Sequence, residues 1–288
     1  MDSSRSPGER ISYREVFARL ENLPPLSRSL ERLLGLLRND RASANDLEEV
    51  LRHDEVISVK VLQIANSAYY GVHGKVATLQ RAILTMGFHE VISVCLCRLL
   101  TDQLDPLGRP AGASRAALWK ESYVAAGMAR ELARGRSGLD MEEAYTLGLL
   151  HDLGLLVMCM RFNEEYRDIM KVSRERKIPY RQAELERGPL HTQIGKWIAL
   201  RWGLPESYAQ VMAYHHEPMD SPTCRAQVKL VFLAGILARC HENPSLLNDG
   251  KQAEFCRDLA ISEDEWQVFI ERTAAAREEA NRFWRLLG

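Results

Sequence analysis

From Ser12 onward, apolar residues recur every three or four positions and hardly ever alternate with polar ones in the two-residue rhythm of a strand. The pattern predicts an almost entirely α-helical chain. Leu47, Val50, Leu51, Ile57, Val61, Leu62 and Ala65 share one apolar face. Ser43-x-x-Asp46 just before them supplies an N-cap with a carboxylate in the first turn, which predicts a helix running into Asn66. Asp140-x-x-Glu143 has the same form and caps a helix carrying Ala144, Leu147 and Leu150; Ser262-x-x-Glu265 repeats it near the end. In Trp202-Gly203-Leu204-Pro205-Glu206 the glycine suits the position after a helix and the proline the first turn of the next, so a tight helix corner is expected there.

The clearest interruption is Asp102 to Gly112, with Pro106, Gly108 and Pro110, and Asn243 to Gly250 reads as a second loop. These breaks divide the chain into a flexible tail (1–14), an N-terminal helical half (15–105), a C-terminal helical half (113–240) and a C-terminal extension (241–288). The extension, from Ser262 through Trp266 to Trp284, reads most simply as a helix packed back on the domain; the alternative is a docking helix for a partner or a second copy of the chain. Internal repeats and low-complexity tracts are absent.

Composition changes this picture little. The 288 residues are 46% hydrophobic and 27% charged, ordinary globular usage, and the length suffices for a substantial core. Net charge is −1 with Lys and Arg scattered among Asp and Glu, which argues against a nucleic-acid interface. The six cysteines lack Cys-x-x-Cys spacing and sit mostly in apolar helical segments, as reduced core thiols of a cytoplasmic protein would. The first ten residues are polar, and no later apolar run reaches the roughly 18 to 20 residues that cross a bilayer, so neither secretion nor membrane insertion is expected.

The chemistry lies in the histidines. Of eight, His151 with Asp152 follows Leu147-Gly148-Leu149-Leu150, His191 opens the segment His191-Thr192-Gln193-Ile194-Gly195, and His215-His216-Glu217 follows Val211-Met212-Ala213-Tyr214. Imidazoles and a carboxylate are the usual ligands of first-row metals, and an adjacent His-Asp pair can serve two ions, with the carboxylate bridging, for phosphate-ester hydrolysis. His53, His73, His89 and His241 read as surface or hydrogen-bonded residues. Asn66-Ser67-Ala68-Tyr69-Tyr70-Gly71 has two readings. One is a partner-binding surface. The other is structural, with Asn66 and Ser67 satisfying helical carbonyls, the tyrosines in the core and Gly71 in the turn.

Leu149-Leu150-His151-Asp152-Leu153-Gly154 resembles the signature of the HD phosphohydrolase superfamily, and His191-x-x-Ile194-Gly195 with Tyr214-His215-His216-Glu217 resembles the later histidine positions of its HD-GYP branch. The layout over about residues 15 to 240 is most similar to the HDOD domain, the HD-related output domain of bacterial signalling proteins. That resemblance is carried by Leu23-Pro24-Pro25-Leu26, Ile64 to Gly71, Arg81-Ala82-Ile83, Met86-Gly87, Leu118-Trp119 and Trp202 to Pro205. It implies an all-α, HD-like bundle with an N-terminal helical subdomain and a role in signal transduction.

Three positions depart from an active HD enzyme. Glu121 falls where the first metal-binding histidine would be, Leu155 replaces the HD-GYP lysine, and Leu230 to Gly235 contains no carboxylate where the last aspartate belongs. Losing the lysine removes a charge that would neutralise a phosphate oxygen, and losing the aspartate removes a ligand. The expectation is a non-catalytic regulatory module acting through contacts with signalling proteins. It would carry a degenerate metal site of His151, Asp152, His191, His215, His216 and Glu121, require no cofactor, and have Fe, Mn or Zn as the candidate ions. A nucleotide-type ligand in the cleft is a further candidate. The alternative is a metal-dependent phosphohydrolase or phosphodiesterase acting on a nucleotide or cyclic dinucleotide. With most of the chain assigned to HDOD, the input signal is expected from a separate protein or small ligand. No feature of the chain speaks to its oligomeric state.

Overall fold

A computed structural model describes residues 12–21, 26–37, 39, 41–72, 74–104, 115–241, 243–248 and 250–287. The described residues are helical throughout, with no strand among them. The N-terminal half contains α1 (Tyr13–Glu21), α2 (Arg28–Leu36), α3 (Ala44–Arg52), α4 (Glu55–Ala65), α5 (Leu79–Met86) and α6 (Phe88–Leu104). The C-terminal half contains α7 (Arg115–Ala133), α8 (Met141–Leu150), α9 (Leu153–Arg161), α10 (Asn163–Arg176), α11 (Tyr180–Arg187), α12 (His191–Arg201), α13 (Glu206–Tyr214) and α14 (Arg225–Arg239). The extension adds α15 (Gly250–Asp258) and α16 (Glu263–Leu287), preceded by a short 3-10 turn at Pro244–Asn248.

The capping signals act where the sequence places them. Ser43 and Asp46 form a reciprocal capping box, Asp140 accepts from the backbone N–H groups of Glu142 (2.9 Å) and Glu143 (2.7 Å), and Ser262 pairs with Glu265. The corner after α12 has Gly203 at φ +60°, with Leu204 N–H closing onto the Ala199 carbonyl at 2.9 Å; Pro205 is the N-cap of α13 rather than part of its first turn.

The single helix expected into Asn66 is instead two. His53 ends α3, and Asp54 starts α4 by accepting the Ile57 N–H at 3.1 Å while its other oxygen takes the Ser29 hydroxyl at 2.6 Å. Both helices bury the same stripe against one core (Leu47 and Leu51, then Ile57, Val61 and Ile64), so the apolar period runs on through a break made by a side-chain cap. Two further boundaries shift. Tyr13 and Arg14, assigned to the tail, belong to α1, and Asp102 to Leu104 finish α6 rather than start a linker. Residues 1–11, Leu23-Pro24-Pro25, His73 and the rest of the 102–112 boundary lie outside the described residues.

The C-terminal half is organised around α7, against which α8, α14 and α16 all pack. The facing surface of α7 is rich in buried alanine (Ala125, Ala126, Ala129 and Ala133), so its neighbours approach closely. Contrary to the expectation of no such run, Met141–Arg161, broken only at His151 and Asp152, has the length and composition of a membrane span. It is 83% buried inside the bundle, the mark of a core segment. The extension packs back on the domain: α16 buries Trp266, Phe269, Ala280, Phe283 and Leu287, and Phe283 stacks on Tyr123 of α7 at 4.5 Å. Five of the six cysteines are buried, all are free, and burial pushes the Cys95 and Cys97 thiols above their usual range.

The Asn66 to Gly71 segment follows the structural reading in part. Asn66 donates to the carbonyls of Leu62 and Val76, each at 2.7 Å, and accepts the Val76 N–H at 2.8 Å, stapling the end of α4 to the following turn. The Ser67 hydroxyl is buried without a partner, so it satisfies no carbonyl as the structural reading had it. The tyrosines are half-buried, and Tyr69 donates to Glu279 of α16 at 2.7 Å.

Candidate metal centre

His151 and Asp152 occupy the two-residue break between α8 and α9, His191 is the first residue of α12, and His215 and His216 follow α13. Gly154 brings the first pair to the third. A Cβ at this position would lie 2.0 Å from the His191 carbonyl oxygen and 2.6 Å from the Gly195 nitrogen, so α9 can lie this close to α12 only because the residue is glycine. The Gly203 corner then turns the chain so that α13 delivers His215 and His216 to the same point.

The donor atoms of Asp152, His191, His215 and His216 all lie within 4.8 Å of one another. Asp152 Oδ1 is 3.4 Å from His191 Nε2 and 3.3 Å from His215 Nε2; His191 Nε2 is 3.3 Å from His215 Nε2 and 3.1 Å from His216 Nε2. His191 and His215 are 2% and 3% exposed. The far side of each ring assigns its tautomer, because carbonyl and carboxylate oxygens only accept. His151 Nδ1–H donates to the Gly148 carbonyl (2.7 Å), His215 Nδ1–H to the Val211 carbonyl (3.1 Å) and His191 Nδ1–H to Glu184 (2.6 Å). The Nε2 atoms of His191 and His215 therefore present bare lone pairs. Both face Asp152 Oδ1, a buried oxygen with no hydrogen bond of its own. Converging lone pairs and an orphaned carboxylate oxygen repel one another unless a cation lies between them, so the donor set fits a divalent first-row ion.

The protonation states agree. Burial pushes His215 down to about 4, with Asp152 opposing, and burial with the neighbouring His215 and His191 holds His216 well below the usual imidazole range, so both are neutral ligands near pH 7. Burial works to raise the Asp152 carboxyl, but the His151 and His215 imidazoles beside it outweigh that and hold it ionised, well below the usual carboxylate range. His151 Nε2 lies 3.3 Å from Asp152 Oδ2; burial disfavours its charge, yet Asp152 raises its pKa overall. His151 is thus attached to the cluster through Asp152 and lies outside the set of four.

The remaining expected residues fall elsewhere. Glu121, on α7, is not among the four donors; its charge bears on Tyr166 of α10. Leu155 lies in the first turn of α9 and packs against the core, and Leu230, Val231, Leu233 and Ala234 are buried among apolar neighbours. His53 ends α3, His89 pairs with Glu142, and His241 is exposed.

Two residues that the sequence did not point to support the centre. Glu184, fully buried on α11, takes both the ring and backbone N–H of His191 (2.6 and 2.8 Å) and is itself held by Arg181 at 2.7 Å. Burial works to raise its pKa, but His191 and Arg181 hold it below the usual range. It lies in Tyr180-Arg-Gln-Ala-Glu-Leu-Glu-Arg187, which reads as an ordinary charged surface helix and carries no signal. Arg239, at the end of α14, folds back over Gly235, where a Cβ would lie 3.2 Å from the guanidinium, and its charge opposes protonation of His151 and His216. Glu184→Gln, which removes the charge that fixes the His191 tautomer, is expected to weaken divalent-metal affinity about tenfold, measured by competition with a chromophoric chelator.

The HDOD domain profile matches residues 23–218, and the chain belongs to the HDOD family. An uncharacterized protein of Treponema pallidum is 24% identical over 232 residues, covering 75% of this chain and 44% of its own length, so the chain spans less than half of that relative. Solved structures share the fold. An HDOD domain protein of unknown function from Geobacter sulfurreducens superposes with TM-score 0.75 at 22% identity, covering 94% of this chain and 96% of its own. A proposed signal transduction protein from Marinobacter aquaeolei gives 0.80 at 21% (96% and 65%), and a proposed phosphohydrolase from Shewanella amazonensis gives 0.73 at 21% (95% and 98%).

Proposed function

We propose that this HDOD chain is a regulatory module that works through contacts with signalling proteins, and that its centre holds one divalent ion without hydrolysing a substrate. The observation that carries this reading is the convergence of four protein donors, Asp152, His191, His215 and His216, on one point. Four protein ligands saturate a tetrahedral ion, whereas a hydrolytic centre keeps a position open for water or substrate. A bound ion would supply positive charge that ties the α8–α9 break to α12 and α13. The chain's own residues do the rest: Glu184 orients His191, the Gly148 and Val211 carbonyls orient His151 and His215, and the buried setting excludes water. Leu155 in place of a phosphate-neutralising lysine, and the apolar Leu230 to Gly235 stretch, support the absence of turnover.

A metal-dependent phosphohydrolase is the second reading, favoured by the same intact donor set. The two separate on measured metal content and on turnover of nucleotide and cyclic-dinucleotide substrates by Mn- or Fe-reconstituted protein. The regulatory reading expects up to one ion per chain and no product above that of a His151→Ala, Asp152→Ala double variant. Turnover that disappears in the double variant establishes the hydrolase instead.

A further inference from the structure

A second cluster of charged side chains lies between α7, inside the family match, and α16, in the extension beyond it. A pocket of about 450 Å³ is lined by Lys120 of α7 and by Glu278, Asn281, Arg282 and Arg285 of α16. The four α16 residues fall at i, i+3, i+4 and i+7, one face of the helix, and Lys120 faces them from one turn before Tyr123, whose ring stacks on Phe283. Three cations and one carboxylate line the space, a surplus of two positive charges. Among the described residues, none of Lys120, Arg282 and Arg285 has a carboxylate within ion-pairing distance.

Arg282 is the best fixed of the three. Its guanidinium lies 5.6 Å from the centre of the Tyr69 ring, and Tyr69 is itself tied to Glu279 by a 2.7 Å hydrogen bond. The stacked face of a guanidinium engages the ring while its N–H edge stays available for an oxyanion. Glu279 spends its carboxylate on Tyr69, and Glu278 leaves the surplus uncancelled. Unpaired cations brought together from two helices repel one another, and an anion bound among them relieves that repulsion.

The geometry points to a binding site for a small anion with two adjacent phosphoryl groups, held by Lys120, Arg282 and Arg285 and clamping α16 to α7. The pocket is within the range of small-ligand sites, and two adjacent phosphoryl groups offer enough oxygens for the two guanidinium groups and the ammonium each to be met separately. Tyr69, which the sequence placed either in a partner-binding surface or in the core, becomes the platform that presents Arg282.

The test is isothermal titration of the 288-residue chain, dialysed against chelator, with inorganic pyrophosphate and with ADP, and with sulfate at matched ionic strength. Saturable binding of pyrophosphate and ADP but not of sulfate is expected. Equal affinities assign the site to the diphosphate alone, and tighter ADP binding adds a nucleoside contact. Lys120→Gln is expected to weaken binding about tenfold and the Arg282→Gln, Arg285→Gln pair about a hundredfold, while His191→Ala leaves it unchanged, which separates this site from the metal centre. Should the arginine pair fail to fold by circular dichroism, Lys120→Gln decides alone, since its ammonium makes no hydrogen bond or ion pair among the described residues. Absence of heat with both phosphoanions, equal binding of sulfate, or unaltered affinity in Lys120→Gln overturns the proposal.

Discussion

Gly154→Ala is expected to lower the thermal midpoint by about 10 °C and to weaken divalent-metal binding at the proposed centre. The added Cβ would meet the His191 carbonyl oxygen at 2.0 Å, the Gly195 nitrogen at 2.6 Å and the Gly195 Cα at 3.0 Å. All three are backbone atoms, so no rotamer change relieves the overlap and α9 must withdraw from α12. Overpacking of this kind costs about 3 kcal/mol, which for a domain of this size is several degrees to about 10 °C. The displacement acts where the centre is assembled, since Asp152 precedes the glycine by two residues and His191 is the residue struck. Gly127→Ala is the matched control. It lies inside α7 with open space around its would-be Cβ, and it is expected to be neutral or to gain up to about 1 kcal/mol from helix propensity. Calorimetry and metal analysis on the two variants decide the matter; a Gly154→Ala protein with native midpoint and native metal content would falsify the close-approach argument.

The second large effect is one of pH. Glu90 of α6 is pushed up to about 7, chiefly by burial and further by Glu279; the hydroxyls of Tyr123 (2.9 Å to each carboxylate oxygen) and Tyr70 (3.4 Å), with the charge of Arg130, only partly offset this. Between its ordinary value of 4.5 and about 7, the folded chain holds a proton that the unfolded chain has released. The stabilisation is complete below the lower value and is lost as pH rises through the upper one. Glutamine mimics the protonated form. Glu90→Gln is therefore expected to be close to neutral at pH 5 and more stable than the parent at pH 8, by about 2 kcal/mol once residual solvent screening is allowed for. His215, pushed down to about 4, contributes the opposite sign, its stabilisation being lost as pH falls from the ordinary imidazole range. That contribution is common to both proteins and cancels in the comparison. Urea titrations at the two pH values measure the difference, and an equal effect of the substitution at both would show that Glu90 is already ionised at pH 5.

Legible in the chain alone were the features whose physics is complete within a few residues. Ser43 with Asp46, Asp140 with Glu143, Ser262 with Glu265 and the Gly203 turn are hydrogen-bond patterns closed inside one helical turn, and each acts where the sequence places it. The helical class follows from periodicity for the same reason, and the His-Asp-x-Gly and His-His motifs mark segments able to bind metal. The break at Asp54 was hidden because α3 and α4 bury a continuous stripe. The composition of the centre was a tertiary matter. Asp152 and His216 are 64 residues apart in the chain, and only the packing of α9 on α12 and of α12 on α13 makes them neighbours. That packing draws in Glu184 from an unremarkable charged helix, brings Arg239 close enough to act on His151 and His216, and leaves Glu121 outside the set of four. The chemistry of a ligand is a property of its residue type and can be read along the chain, whereas which ligands meet depends on backbone approach, such as that at Gly154, between segments with no local signal for one another.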